Sequence, residues 1–120
     1  MTDQGSYVAA VVCEYLEMPE TPRRASQSDQ SLAGCFFHDG IPLWLVQAAL
    51  RLGSLRRLRR PPQAPPLTPI RSLAYFRPVV EELLLRSVPQ TYADYLRVGL
   101  RRAIEALPAK PTKNTFFDDR

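Results

Sequence analysis

Twelve prolines among 120 residues constrain this chain more than any other feature. Nine of them stand in clusters, Pro19 with Pro22, then Pro61, Pro62, Pro65, Pro66 and Pro69, then Pro108 with Pro111. Proline has no backbone N–H and its ring collides with the carbonyl one turn back, so neither a helix interior nor a central strand passes through such a cluster. Regular structure is confined to the intervals. Within them apolar residues recur three and four apart. Clean alternation of β-branched with polar residues is almost absent, although Phe36–Phe37 or Phe116–Phe117 suit short extended pieces. The pattern predicts an all-α fold, a small bundle of about five helices with no internal repeat.

The first segment runs from about Asp3 to Met18, with Asp3 as N-cap and Val8, Val11, Val12 and Tyr15 as its apolar stripe. Glu20 to Ser26 is a connector. The second helix begins near Ser28 or Asp29, presents Leu32, Cys35 and Phe36 at helical spacing, and stops at Gly40, which suits a left-handed cap. Pro42 suits a first helical position, and the third helix extends from there to about Arg60 with Leu43, Val46, Leu50 and Gly53 as its core stripe. Pro61 to Pro69 reads as an extended, semi-rigid linker. Thr68 and Pro69 then read as the N-cap and first residue of a segment through Ile70, Leu73, Ala74 and Phe76 to Leu85, which Pro78 must kink or split into two short helices. The last helix, from near Pro89 to near Leu107, has Tyr92, Leu96, Leu100, Ala103 and Leu107 on its core side. Asp94 with Arg97 and Arg101 with Glu105 are its surface pairs. The expected organisation is one helical domain over residues 1–107 and a flexible tail over 108–120, disordered at least in isolation.

Several classes of function are disfavoured at once. No apolar run approaches the ~18 residues that span a bilayer, and no basic stretch followed by a hydrophobic one opens the chain, so a cytoplasmic protein without a membrane partner is expected. Cys13 and Cys35 are too few for a disulfide scaffold, and each has apolar neighbours in a predicted helix, so both are expected to be buried, reduced thiols. His38 is the one histidine; its spacing from Cys35 is metal-like, but only Cys13, Asp39 and other acids remain to complete four ligands. There is no Gly-Lys-Ser/Thr phosphate loop, nucleophile elbow or dinucleotide fingerprint. Asp118 and Asp119 lie in the tail, and Glu81 and Glu82 diverge on a helix, where contacts with Arg71, Arg77 or Arg86 are expected. No enzyme, metal or cofactor is therefore anticipated.

Charge is more informative. Residues 1–39 hold six acids against two arginines, whereas from Gly40 to Val80 there is no acid at all and Arg51, Arg56, Arg57, Arg59, Arg60, Arg71 and Arg77 stand alone. Fourteen of the sixteen basic residues are arginine, the side chain best suited to bidentate phosphate contact and to stacking on bases. Arg56, Arg57, Arg59 and Arg60 surround the end of the third helix. Its dipole favours positive side chains there by roughly 0.3–1 kcal/mol each, but four exceed what capping needs and no acid nearby in sequence neutralises them. Phosphate is the expected partner, an exposed solvated arginine face the alternative. Residues 28 to 50 add a helix, a glycine turn and a second amphipathic helix, the arrangement of a helix-turn-helix hairpin as well as of a plain bundle. In the former case Trp44, Gln47 and Arg51, at i, i+3 and i+7, share the face that enters the major groove, Gln47 reading adenine and Arg51 guanine or phosphate.

Leu16-Glu-Met-Pro-Glu-Thr-Pro-Arg-Arg24, then Asp29, then Gly40-Ile41-Pro42 leading into Ala48, Ala49, Arg56 and Arg57, then Pro69-Ile-Arg-Ser-Leu-Ala-Tyr-Phe-Arg-Pro-Val-Val-Glu-Glu82 form a distinctive set. This set resembles small uncharacterised proteins of bacterial mobile elements and, more loosely, the DnaD-like C-terminal helical modules of plasmid and phage replication initiators. The resemblance covers about residues 7 to 90 and carries no established chemistry with it. It implies DNA binding in replication or transposition, with Arg71, Tyr75 and Phe76 at the aromatic segment; an initiator's separate winged-helix or catalytic domain has no counterpart here. The expectation is thus an accessory protein that binds nucleic acid, DNA first, as a monomer or homo-oligomer. The alternative is a helical interaction subunit of a larger nucleoprotein complex, in which the arginines meet a partner's acids and Phe116 and Phe117 of the tail dock in a partner's groove.

Overall fold

In the computed structural model, which describes residues 3–107, five α-helices follow one another: α1 (Gln4–Glu17), α2 (Gln27–His38), α3 (Leu43–Leu58), α4 (Arg77–Arg86) and α5 (Thr91–Glu105). A 3₁₀ turn, Leu73–Phe76, runs directly into α4. Among the described residues there is no strand. The all-α expectation holds, and the helix ends show why the sequence specifies it.

The carboxylate of Asp3 accepts the Ser6 N–H at 2.8 Å to open α1, and Pro19 closes it by forcing Met18 into extended backbone, ψ 148°. α2 starts one residue before the expected Ser28 because Ser26 caps it. Ser26 Oγ accepts the Asp29 N–H at 3.1 Å while Asp29 Oδ2 accepts the Ser26 N–H at 2.9 Å, a reciprocal capping box. At the other end Gly40 has φ +75°, and the N–H groups of Gly40 and Ile41 donate back to the carbonyls of Phe37 and Phe36. That is a Schellman closure with buried Ile41 as its apolar stop.

α3 differs most from its sequence reading. A stripe of Leu43, Val46, Leu50 and Gly53 was expected, but every residue from Leu45 to Leu55 except Gln47 is buried. α1, the 3₁₀ turn with α4, and α5 all pack on α3, while α2 rests on α1 and the 3₁₀ turn. A helix buried over most of its circumference is not amphipathic; of its buried polar residues, Arg51 finds partners inside, whereas the Ser54 hydroxyl has none among the described residues. Gly53 is required by this crowding: a Cβ there would stand 2.8 Å from Phe76 Cδ1.

Two expected details are corrected. Thr68 and Pro69 open no helix, because the Ile70 N–H donates to the Glu20 carbonyl at 3.0 Å and the chain stays non-helical until Ser72, whose Oγ accepts the Ala74 N–H. Pro78 instead falls at the start of α4, where its missing N–H costs nothing, so the segment is divided into two pieces. Cys13 and Cys35 are both exposed, not buried; each lies a residue or two off the stripe that its own helix turns inward.

Candidate nucleic-acid interface

α3 carries five of the eight residues to which the sequence assigned nucleic-acid contact, Trp44, Gln47, Arg51, Arg56 and Arg57, and Arg59 caps its end. Arg51 is only 5% exposed. Its Nε and Nη2 donate to the two carboxylate oxygens of Glu14, the latter at 3.0 Å, and Nη1 donates to the Ala93 carbonyl at 2.7 Å. All three of its nitrogens thus donate to α1 or α5. Trp44 packs half-buried against the core, and Gln47, one turn on, is half-buried. Of the face proposed to enter a major groove, Arg51 is therefore turned into the bundle, whereas Trp44 and Gln47 keep part of their surface exposed. The hairpin forms, with Arg51 of its second helix engaged inside the bundle.

The arginines after Leu55 divide into two groups. Arg56 makes a bidentate pair with Glu82, at 2.9 and 2.7 Å, and Arg86 reaches the same carboxylate at 3.3 Å. These hydrogen bonds, with the charges of Arg56 and Arg86, hold the Glu82 carboxyl below its ordinary range. Arg57 donates to the carboxylate of Glu20, to the Thr68 carbonyl at 2.8 Å and to the Tyr75 hydroxyl at 3.3 Å, with the guanidinium carbon 5.3 Å from the Tyr75 ring centre. Glu20 itself has φ 67°, a strained conformation for a residue with a side chain, and these contacts hold it there. The absence of neutralising acids was an artefact of sequence distance: Glu20 and Glu82 are supplied by other segments. Arg56 and Arg57 are thus engaged with carboxylates of the chain itself.

Arg59, Arg60 and Arg71 are the remainder. All three are exposed and, among the described residues, make no ion pair with a carboxylate; Arg60 donates to the Pro65 carbonyl at 2.7 Å. Arg59 and Arg60 follow the last turn of α3, and Arg71 follows Ile70 in the connector tied to Glu20. Arg57 and Ile70 draw the connectors 18–26 and 61–72 together, through Glu20 and Thr68. α5 lies parallel to α3, since Arg51 meets Ala93, Leu55 lies by Gly99, and Leu58 and Arg59 line a groove with Arg102 and Ala103. Two helix C-termini and their arginines therefore point the same way. Arg102, which sequence reasoning left unassigned, belongs to this set; the same dipole argument that singled out the end of α3 would have found it at the end of α5.

Beside this basic end lies the groove itself, about 730 Å³, with Leu58, Tyr95, Val98 and Leu107 among its walls. Tyr95 is 71% exposed. Phe116 and Phe117, the expected partner contacts, fall outside the described residues, as does the rest of the tail. The residues that carry the resemblance serve mainly as internal ties. Glu20 meets Arg57, Tyr75 lies over it, Arg56 meets Glu82, and Asp29 Oδ1 accepts the Leu73 N–H at 2.9 Å. Among the described residues no three His, Cys, Asp or Glu side chains gather as metal ligands, and no helix is long and apolar enough to cross a membrane. No protein-family model, curated protein or solved structure matches this chain.

Proposed function

We propose that this chain is a cytoplasmic accessory protein of a replication or mobile-element system that binds nucleic acid, DNA foremost, by its phosphate backbone at the basic end of the bundle. The observation that carries this reading is the group Arg59, Arg60, Arg71 and Arg102, exposed at the ends of α3 and α5 and on the connector 61–72 and, among the described residues, without an ion pair to a carboxylate. Exposed guanidinium groups at helix ends and on a braced connector suit phosphate oxygens, which supports this reading. Tyr75 and Tyr95, exposed nearby, offer ring faces to an unstacked base. Base-specific reading by Arg51 is left out of this reading, since its guanidinium is engaged inside the bundle.

The apolar groove favours a second reading, a helical adaptor whose arginines meet the acids of a partner protein. Gel-shift titrations of single-stranded and duplex DNA and RNA at two salt concentrations separate the two. Phosphate binding requires a log–log salt slope of about −0.9 per contact on duplex DNA, and Arg59→Ala/Arg60→Ala/Arg102→Ala should flatten it by roughly two to three units. Gln47→Ala should leave sequence preference unaltered. A parent protein that binds no nucleic acid near about 100 mM salt, where such contacts still operate, gives first place to the adaptor.

A further inference from the structure

We propose that the groove between α3 and α5 is the docking site of the chain's own segment Thr115–Asp119, with the rings of Phe116 and Phe117 against Leu58 and Val98 and the carboxylates of Asp118 and Asp119 on Arg59 and Arg102. The regulatory consequence, that the docked acids occupy two of the arginines offered to phosphate, rests on the function proposed above; the docking does not.

The groove needs a cover. Leu58, Val98 and Tyr95 line it, Val98 is 43% exposed and Tyr95 more so, and none of the five helices lies over them. Its rim is basic on both sides, Arg59 from α3 and Arg102 from α5, and neither makes an ion pair with a carboxylate among the described residues. The complementary pattern, two adjacent aromatics followed by two acids, occurs once in the sequence, at Phe116-Phe117-Asp118-Asp119.

Position favours that segment over an outside partner. Leu107, the last described residue, is itself part of the groove wall, so the following chain leaves from the site. Eight residues, 108–115, separate Leu107 from Phe116 and span at most about 28 Å when extended. Returning along α5 from Leu107 to Val98 requires about 14 Å. The tether is long enough to reverse direction, and a tether this short holds its end at an effective concentration on the order of millimolar. A weak aromatic and acidic motif is then bound without a high intrinsic affinity.

The test is nuclear magnetic resonance on the full chain. Ring-to-methyl contacts from Phe116 and Phe117 to Leu58 and Val98 are expected, at a strength independent of protein concentration. Phe116→Ser/Phe117→Ser should abolish them and shift the amide signals of Val98, Gly99 and Arg102 while leaving Val8 and Gly34, on α1 and α2, in place. Arg59→Glu/Arg102→Glu should weaken the contacts, and adding Asp118→Arg/Asp119→Arg should restore them. The proposal is overturned if no such contacts exist, or if they grow with protein concentration, in which case a second copy's tail fills the groove. In the gel-shift assay the Phe116→Ser/Phe117→Ser variant should bind nucleic acid several-fold more tightly than the parent. Ring contacts present without nucleic-acid binding in either protein would leave the docking standing and remove the function.

Discussion

Arg51 and Arg56 have the same side chain and opposite energetic settings. The Arg51 guanidinium is buried between α1 and α5, so Arg51→Met leaves the Glu14 carboxylate and the Ala93 carbonyl without their donor. Removing one partner of a buried pair costs about 3 kcal/mol or more, and urea unfolding should show a loss of that order; a variant as stable as the parent would mean that Arg51 is an outward-facing residue after all. Arg56 pairs with Glu82 at the surface, where solvent reduces such a pair to roughly 0.2–1 kcal/mol. Its mark is instead on titration. The folded carboxyl of Glu82 titrates below its unfolded value, so the pair's contribution is present above the ordinary glutamate pKa and is lost as pH falls through the folded one. Carbon-detected titration should find Glu82 displaced downward, and Arg56→Ala should return it most of the way, Arg86 retaining the remainder.

At the scale of elements, glycines and caps determine where helices stop and how closely they approach. Gly40 has open space around its missing Cβ, so Gly40→Val costs only the strain of the left-handed backbone, roughly 1 kcal/mol or somewhat more for a β-branched residue. Gly53 is the reverse case, with ordinary helical backbone and the Phe76 ring in the way. Gly53→Ala should lose about 1–3 kcal/mol by overpacking despite its better helix propensity, a sign that thermal denaturation reads directly. Asp29 ties two elements at once, through the Ser26 N–H and the Leu73 N–H. Ser26→Ala should therefore cost about 1 kcal/mol, the usual value of a cap, and Asp29→Ala clearly more, because a buried backbone donor of the 3₁₀ turn is also left unpaired.

For the molecule as a whole, the core ties its two buried phenols to alkaline stability. Burial pushes Tyr7 and Tyr15 up to about 12, assisted at Tyr15 by the negative charge of Asp29, and the Tyr7 hydroxyl donates to the Ile41 carbonyl at 2.7 Å. A phenol whose folded pKa is raised stabilises the fold fully below its unfolded value near 10, and that contribution is lost as pH climbs from there towards 12. Ultraviolet titration should show two of the five tyrosines ionising only with cooperative unfolding at the alkaline end. Ionisation of all five near 10 while the fold persists would contradict the placement of these rings.

The sequence alone determined the elements. Proline clusters, the Asp3 cap, the Gly40 turn and the division before α4 are local features, written in residues a few positions apart, and the helix count follows from them. It did not determine which helix the others enclose. Burial of α3 from Leu45 to Leu55 arises from contacts with α1, α4 and α5, and periodicity within α3 carries no record of how many neighbours it has. The arginines show the same limit. An acid-free stretch of 41 residues, Gly40 to Val80, is a fact of order along the chain, whereas electrostatic pairing is a fact of distance in space. Only the tertiary structure brought Glu14, Glu20 and Glu82 to Arg51, Arg57 and Arg56, and so separated the arginines that hold the bundle together from those left facing outward at its end.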